Sequence, residues 1–338
     1  AHADAASDAS DRLSGILRDE VEKLTLLSRF PRVIAYVDQA NKAHLAEVGA
    51  GESAAATQAA TQPVLPSPTA ADLKLDQVWP SLPESDPRVA GILKNELADR
   101  LRLLSSISGN PRQIMVTNAY GELIAADVKT ADYFQADEDW WIQAYDGGKG
   151  QLYVGTVETN PASAAQQIVT VAIPMYDRAG DARQVIGIIK EKLPVSWLLK
   201  PLHDRAADLR AAAQLVDLDT QRTVYQTEAA PTNDRAREFF FTHRRDGAVP
   251  ITTLLFNNII IGSAEVPLAQ RLQWPTGARA SLPKWAVVVS KPSEEAMAPV
   301  YHTAITVAGV GIALVLVLFI LGVAISNREV IMPILRLR

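Results

Sequence analysis

Thr303–Ile325, TAITVAGVGIALVLVLFILGVAI, contains no charged residue. At about 1.5 Å per helical residue the stretch reaches about 35 Å, enough to cross a bilayer with some tilt. Core helices of soluble proteins are rarely apolar for this long, so the stretch is expected to span a membrane. Arg328, Arg336 and Arg338 follow it, whereas Glu294, Glu295 and an uncharged run to His302 precede it, with Lys291 the nearest cation. Excess arginine after the span orients that side to the cytoplasm. Residues 1–300 are then expected in the periplasm, the span in an inner membrane, and Tyr301 at the interface.

Composition narrows the classes. Cysteine is absent, so there is neither a disulfide nor a thiolate metal site. A net charge of -5 argues against nucleic acid as a partner. The residues ahead of the span suffice for two modest cores. The opening AHADAASDAS has no basic or apolar leader pattern, so a removed signal sequence or an earlier membrane helix is expected ahead of it.

Apolar spacing divides the rest. Leu13, Leu17, Val21, Leu24 and Leu27 recur at three and four, which predicts one long N-terminal helix over 1–48, bent at Pro31. Residues 49–71, rich in Ala, Thr, Ser and Pro, read as a flexible loop. Asp86-Pro87 opens a second helix whose stripe is Val89, Leu93, Leu97, Leu101 and Leu104. The period then changes. Strands are expected over 113–118, 122–125, 151–157, 167–175 and 184–191, with a helix over 138–145. A shorter version follows: strands over 213–218 and 223–226, a helix over 234–244, and strands over 252–263 and 285–290. Ser293 then N-caps the helix that enters the membrane. The fold class is α+β, with two consecutive units of antiparallel sheet.

The order of these elements resembles the double Cache sensor family, extracytoplasmic ligand-binding modules whose units are PAS-like. The matching residues are Val116–Ala125 (VTNAYGELIA), Asp132-Tyr133, Trp140-Trp141, Gly147–Gly150, Val171–Pro174 and Gly187-Ile188. The resemblance implies a membrane-distal unit over 72–205, a membrane-proximal unit over 206–292, and a connecting and transmembrane helix over 293–325. Pro333–Leu337, PILRL, resembles the start of a HAMP linker and makes 326–338 its cytoplasmic opening; a short basic anchor is the plainer alternative. Receptors of this kind are usually homodimers along the N-terminal helix, here through Leu13, Leu17, Val21 and Leu24.

No catalytic constellation is present in the sequence. The five histidines are scattered without metal-ligand spacing, and Gly147–Gly150 leads into a strand rather than cradling a phosphate. No enzyme activity, cofactor or metal is expected. The segment Asp132–Tyr145, DYFQADEDWWIQAY, stands apart by its aromatic and acidic content. The resemblance places a ligand pocket here. Its amino-acid-binding members carry Tyr, then Arg, then Trp-Tyr. Tyr133 and Trp140 match, Glu138 stands in place of the Arg, and Trp141 replaces the Tyr. A Glu cannot hold a carboxylate as Arg does, and Glu with aromatic faces suits an ammonium group. The ligand site is therefore expected at Tyr133, Glu138, Trp140 and Trp141, with Tyr153, Glu158 and Thr170 from the facing strands, and a cationic amine as ligand. The alternative makes both tryptophans core residues and Glu138 a helix cap.

These readings describe a small-molecule sensor of a transmembrane receptor, with the lipid bilayer and a second copy as partners. A membrane-anchored structural or accessory subunit without a ligand is the rival. The orientation has a direct test: a reporter fused after Arg338 is expected to be active in the cytoplasm, and one inserted within 49–71 outside it. The reverse pattern would overturn the assignment.

Overall fold

The structure is a computed structural model that describes residues 2–51, 65–107, 112–160, 163–177, 184–227, 233–243, 252–256, 258–272 and 279–326. Helices α1 (His2–Ser28) and α2 (Pro31–Gly51) are followed by α3 (Ala70–Val78), α4 (Pro87–Leu93) and α5 (Glu96–Ile107). Strands β1 (Gln113–Asn118) and β2 (Leu123–Ala126) precede α6 (Asp139–Tyr145), after which β3 (Gln151–Asn160), β4 (Ser163–Tyr176) and β5 (Val185–Pro194) follow in succession. Short helices α7 (Val195–Leu198) and α8 (Lys200–Leu209) lead to β6 (Ala212–Asp217), β7 (Thr223–Gln226) and α9 (Asn233–His243). Then come β8 (Thr252–Phe256), β9 (Ile259–Glu265), α10 (Leu268–Arg271), β10 (Arg279–Ser281), β11 (Trp285–Pro292) and α11 (Ser293–Ser326).

The first sheet has the order β10-β3-β4-β5-β1-β2 and the second β7-β6-β11-β9-β8. Leaving β10 aside, both follow one plan: the last strand of the unit lies centrally between its first and its fourth. All pairings within that plan are antiparallel. The repeated element order in the sequence thus corresponds to a repeated topology. The exception is β10, which comes from the second half of the chain yet pairs in parallel with β3 of the first sheet. Three residues give this strand too little pattern to be read from sequence.

Several boundaries differ from expectation, each for a local reason. The N-terminal helix is two helices, broken at Arg29-Phe30 because Pro31 lacks the donor a continuous helix needs. Residues 52–64 of the expected loop lie outside the described residues; its ends are helical, with α2 reaching Gly51 and α3 starting at Ala70. There Thr69 and Asp72 form a reciprocal capping box. The helix expected after Asp86 is split into α4 and α5. Asn95 causes the split: its Oδ1 accepts the Ala98 amide at 2.8 Å and its Nδ2 donates to the Ile124 carbonyl at 2.9 Å. The strand expected over 252–263 is the hairpin of β8 and β9, which turns through Asn258 at a φ of 64°. The HAMP-like residues lie outside the described residues.

The stripe assigned to a dimer interface is used within the chain. Leu13, Leu17, Val21 and Leu24 are buried in one hydrophobic core with Val171 and Ile173 of β4 and Val287 and Val289 of β11. The stripe packs on its own sheets because α1 is where both sheets cover their inner faces. One contact is especially close: a Cβ at Gly262 of β9 would lie 2.3 Å from the carbonyl carbon of His2. By contrast α11 is exposed through its apolar stretch, with Ile305 70% and Phe319 68% accessible. Among the described residues it alone is long and apolar enough to cross a membrane. A core helix would have been covered.

Leu17→Ala should therefore act as a core truncation, costing about 2–5 kcal/mol in chemical denaturation of the detergent-solubilised full chain. Its sedimentation should match the wild type. Loss of a dimer without loss of stability would restore the interface assignment.

Candidate functional site

The face of the first sheet turned away from α1 is covered by α6. Antiparallel pairing sets its side chains in rows: Tyr153 opposite Ala172, Ala172 opposite Lys190, and Thr170 opposite Lys192. Directly paired residues share a face and the period is two, so Tyr153, Thr170, Lys190 and Lys192 all project toward α6. Glu158 joins them, since it pairs with Ile168, two residues from Thr170. The hydroxyl of Thr170 donates to Glu158 Oε1 at 2.9 Å.

β5 is buried at all ten positions yet carries Lys190, Glu191 and Lys192 in succession. Lys190 and Lys192 are 6% and 7% accessible. Among the described residues neither ammonium has a hydrogen bond or an ion pair. The Lys190 Nζ stands 4.1 Å from the centre of the Trp140 ring, a cation–π distance. Burial lowers the Lys190 pKa to about 7, with Lys192 pushing the same way and Glu138, Glu158 and Asp132 opposing. Burial likewise lowers Lys192. Burial raises Glu138, and the nearby Asp132 carboxylate adds to the rise while Lys190 opposes it. The site is thus a desolvated group of both signs around one indole. Trp140 Nε1 is itself buried and without a hydrogen-bond partner among the described residues.

The residues expected from sequence divide. Glu138, Trp140, Tyr153, Glu158 and Thr170 come together on this face. Glu138 is the residue preceding α6, but its side chain makes no capping hydrogen bond. Both tryptophans belong to one buried cluster, and Trp141 lies deepest: it is fully buried, its Nε1 donates to Thr117 Oγ1 at 2.9 Å, and it stacks on Tyr145. Adjacent helix residues diverge by about 100°, which is why only one tryptophan meets the lysines. Tyr133 lies at the margin, with its ring 5.6 Å from that of Trp79 and its pKa raised by burial and by the carboxylates of Glu122 and Asp72. The cation expected as a ligand has a counterpart in the chain itself, since Lys190 occupies the face of Trp140. The sequence reading missed Lys190 and Lys192. The available signal was charge at alternate positions in a strand otherwise apolar on both faces.

A cavity of about 570 Å³ lies elsewhere, lined by Arg12 and Ile16 of α1, Trp197, and α8 residues including Arg205 and Asp208. Its charged groups are already paired, Arg205 with Asp8 and Asp208. The unpaired buried charges sit at Lys190 and Lys192 rather than in this cavity.

No protein-family model matches the chain, and no curated protein matches it. Solved structures do. A domain of a sensory box/GGDEF family protein from Vibrio parahaemolyticus is 11% identical with a TM-score of 0.46, over 86% of this chain and 97% of that one. The ligand-binding domain of the Pseudomonas aeruginosa PAO1 amino acid chemoreceptor PctC, in complex with GABA, is 16% identical with a TM-score of 0.36, over 64% and 88%. The sensor domain of the Vibrio cholerae histidine kinase DctB is 14% identical with a TM-score of 0.34, over 66% and 90%. The last two are the ligand-binding domain of a chemoreceptor and the sensor domain of a histidine kinase. At TM-scores below 0.5 they carry no weight for the site, which rests on its own residues.

The lysines give a pH dependence. Lys190 titrates near 7 when folded and near 10.5 when unfolded. Between those values the unfolded chain binds the extra proton, so stability rises with pH from about 7 to about 10. Lys190→Met should flatten that rise by a few kcal/mol and raise the melting temperature at neutral pH. Denaturation of both chains across this window checks it; an unchanged slope would place Lys190 in solvent.

Proposed function

We propose that the chain is the extracytoplasmic sensor of a transmembrane signalling receptor, and that the α6 face of the first sheet binds a small molecule. The ligand class is a zwitterion. Its acidic group is taken by Lys190, Lys192 and Trp140 Nε1, and its amine by Glu138 with Asp132 or Glu158. The observation that carries this reading is the pair of unpartnered lysines inside the sheet, each more than nine-tenths buried. Such charges are costly unless a counter-charge arrives. The cationic amine suggested by Glu138 is kept as one half of the ligand. Lys190 supplies the positive charge that Glu in place of Arg takes away, from a strand rather than from the helix.

In this reading, residues ahead of α11 lie in the periplasm and α11 crosses the inner membrane. The N-terminal helix, the loop after it, the distal and proximal units and the connecting helix form the successive parts of the receptor. Assembly as a homodimer belongs to the same proposal, through a face other than Leu13–Leu24. The chain is no enzyme on this account; the site binds and releases.

The test is melting of the full chain in detergent against three panels: amino acids with α, β or γ spacing, amines without an acid, and carboxylates without an amine. Only the first panel should stabilise. At about 100 times its dissociation constant a ligand adds about 2.7 kcal/mol. Lys190→Met and Glu138→Gln should each abolish the response while both variants still melt cooperatively. Response to amines alone would favour the simpler cation site. A flat result with all three panels would favour the accessory subunit.

A further inference from the structure

His44, Asp72 and Glu122 come from three separate segments: α2, the first turn of α3, and the turn between β1 and β2. One potential ligand atom from each lies within 4.8 Å of the others. The group is largely shielded, with His44 8% and Asp72 5% accessible and the Glu122 side chain 14%. Neighbours fix each residue. The His44 ring stacks on Tyr120 at 3.9 Å, and its Nδ1 is 2.7 Å from Glu122 Oε1. Glu122 also accepts from the Asn118 amide. Asp72 Oδ2 accepts the backbone N–H and the hydroxyl of Thr69 at 2.8 and 2.7 Å.

Two donor atoms are left over. Asp72 Oδ1 and the second ring nitrogen of His44 have no hydrogen-bond partner among the described residues and, although their side chains are largely buried, both atoms still reach solvent and could meet an ion. Charge points the same way. Among the described residues neither Asp72 nor Glu122 is paired with a Lys or Arg. Two shielded carboxylates stand beside one imidazole, an excess of acidic side chains that a bound cation would offset.

We infer that His44, Asp72 and Glu122 form a binding site for a first-row divalent metal ion of the zinc type. An imidazole with two carboxylates is a ligand set suited to such ions, whereas calcium and magnesium favour all-oxygen sites. The ion joins α2 and α3, on either side of residues 52–64, to the β1–β2 turn. That turn carries the loop leading to the ligand face: Gln135 donates its backbone N–H to the Gly121 carbonyl at 2.9 Å. Local sequence spacing could not reveal this site, because its ligands are 28 and 50 positions apart by subtraction of their residue numbers.

The experiment uses the full chain in detergent, stripped with a chelator and titrated with zinc chloride. One ion per chain should bind by calorimetry and raise the melting temperature, and the chelator should reverse the rise. Glu122→Gln and Asp72→Asn should each lower zinc affinity at least about tenfold. Calcium and magnesium should have little effect. If a variant fails to fold, X-ray absorption of the zinc-loaded wild type decides: one imidazole with oxygen ligands is expected. No zinc uptake, unchanged affinity in both folded variants, a preference for calcium, or a spectrum without imidazole would each overturn the site. The outcome is separate from that of the zwitterion panels, since neither site shares a proposed ligand residue with the other.

Discussion

The packing of α1 across both sheets is the constraint on which the rest depends. A five- or six-stranded sheet has two faces, and each must be covered to hold an apolar core. The first sheet uses α6 on one face and α1 on the other. The second uses α9 on one face and the start of α1 on the other, where small residues Ala3, Ala6 and Ala9 let the helix approach Gly262. One 27-residue helix thus serves two units. The consequence is that the largest core cluster runs from Val171 in the first sheet to Val287 in the second, while the outer faces carry smaller clusters of their own. Removing the helix would expose an apolar face on each sheet at once.

Polar chemistry is threaded through this packing by β5. Glu191 faces α1 and its carboxylate meets Arg112 at 2.6 Å; the same guanidinium holds Glu20 of α1 at 2.7 Å. All three side chains are at most 2% accessible. Burial raises the Glu191 pKa to about 7, against the pull of Arg112. Lys190 and Lys192 face the other way and have no such answer. The contrast matters because the same strand, at adjacent positions, shows a buried charge that is matched and two that are not. A matched group of this kind stabilises little over an apolar replacement but is costly to break. Unmatched ones persist where function requires them.

How much of this was legible follows from the range of each interaction. Helices and strands whose apolar residues recur within a turn or a pleat were readable, as were the Asp86-Pro87 start and the positive-φ turn at Gly121, where a Cβ would lie 2.3 Å from Ala136 Cβ. The aromatic and acidic segment before and within α6 stood out by composition, and the family resemblance made it the candidate site. What was hidden depended on pairing across long separations. The α1 stripe looked the same whether it met a second copy or its own sheets. Lys190 lies 50 positions beyond Trp140 by residue number, and nothing local says that its ammonium meets that ring. β10 is three residues long and found its partner more than a hundred positions away. His44 resembled any solvated histidine until the chain brought Asp72 and Glu122 to it.

β10 makes a short path from the face that carries Lys190 and Lys192 to α11. Ser281 pairs with Tyr153, a residue of the site strand β3. Four positions later Trp285 begins β11, the central strand of the second sheet. β11 runs into α11 at Pro292-Ser293, where the Ser293 amide donates to the Asn258 carbonyl at 2.7 Å and Lys291 Nζ donates to the Leu209 carbonyl at 2.9 Å. There is no separate linker between sheet and span. Contiguity alone does not make a switch; some element along the path must have two arrangements that the two ends favour differently. The pairing of β10 is only three residues long and lies at the edge of the first sheet. β11, held on both sides over most of its length, behaves as a rigid strut by comparison. If a charge arriving beside Lys190 shifts β3, the edge strand is the place where that shift is either absorbed or passed to β11, the strand that leads into α11.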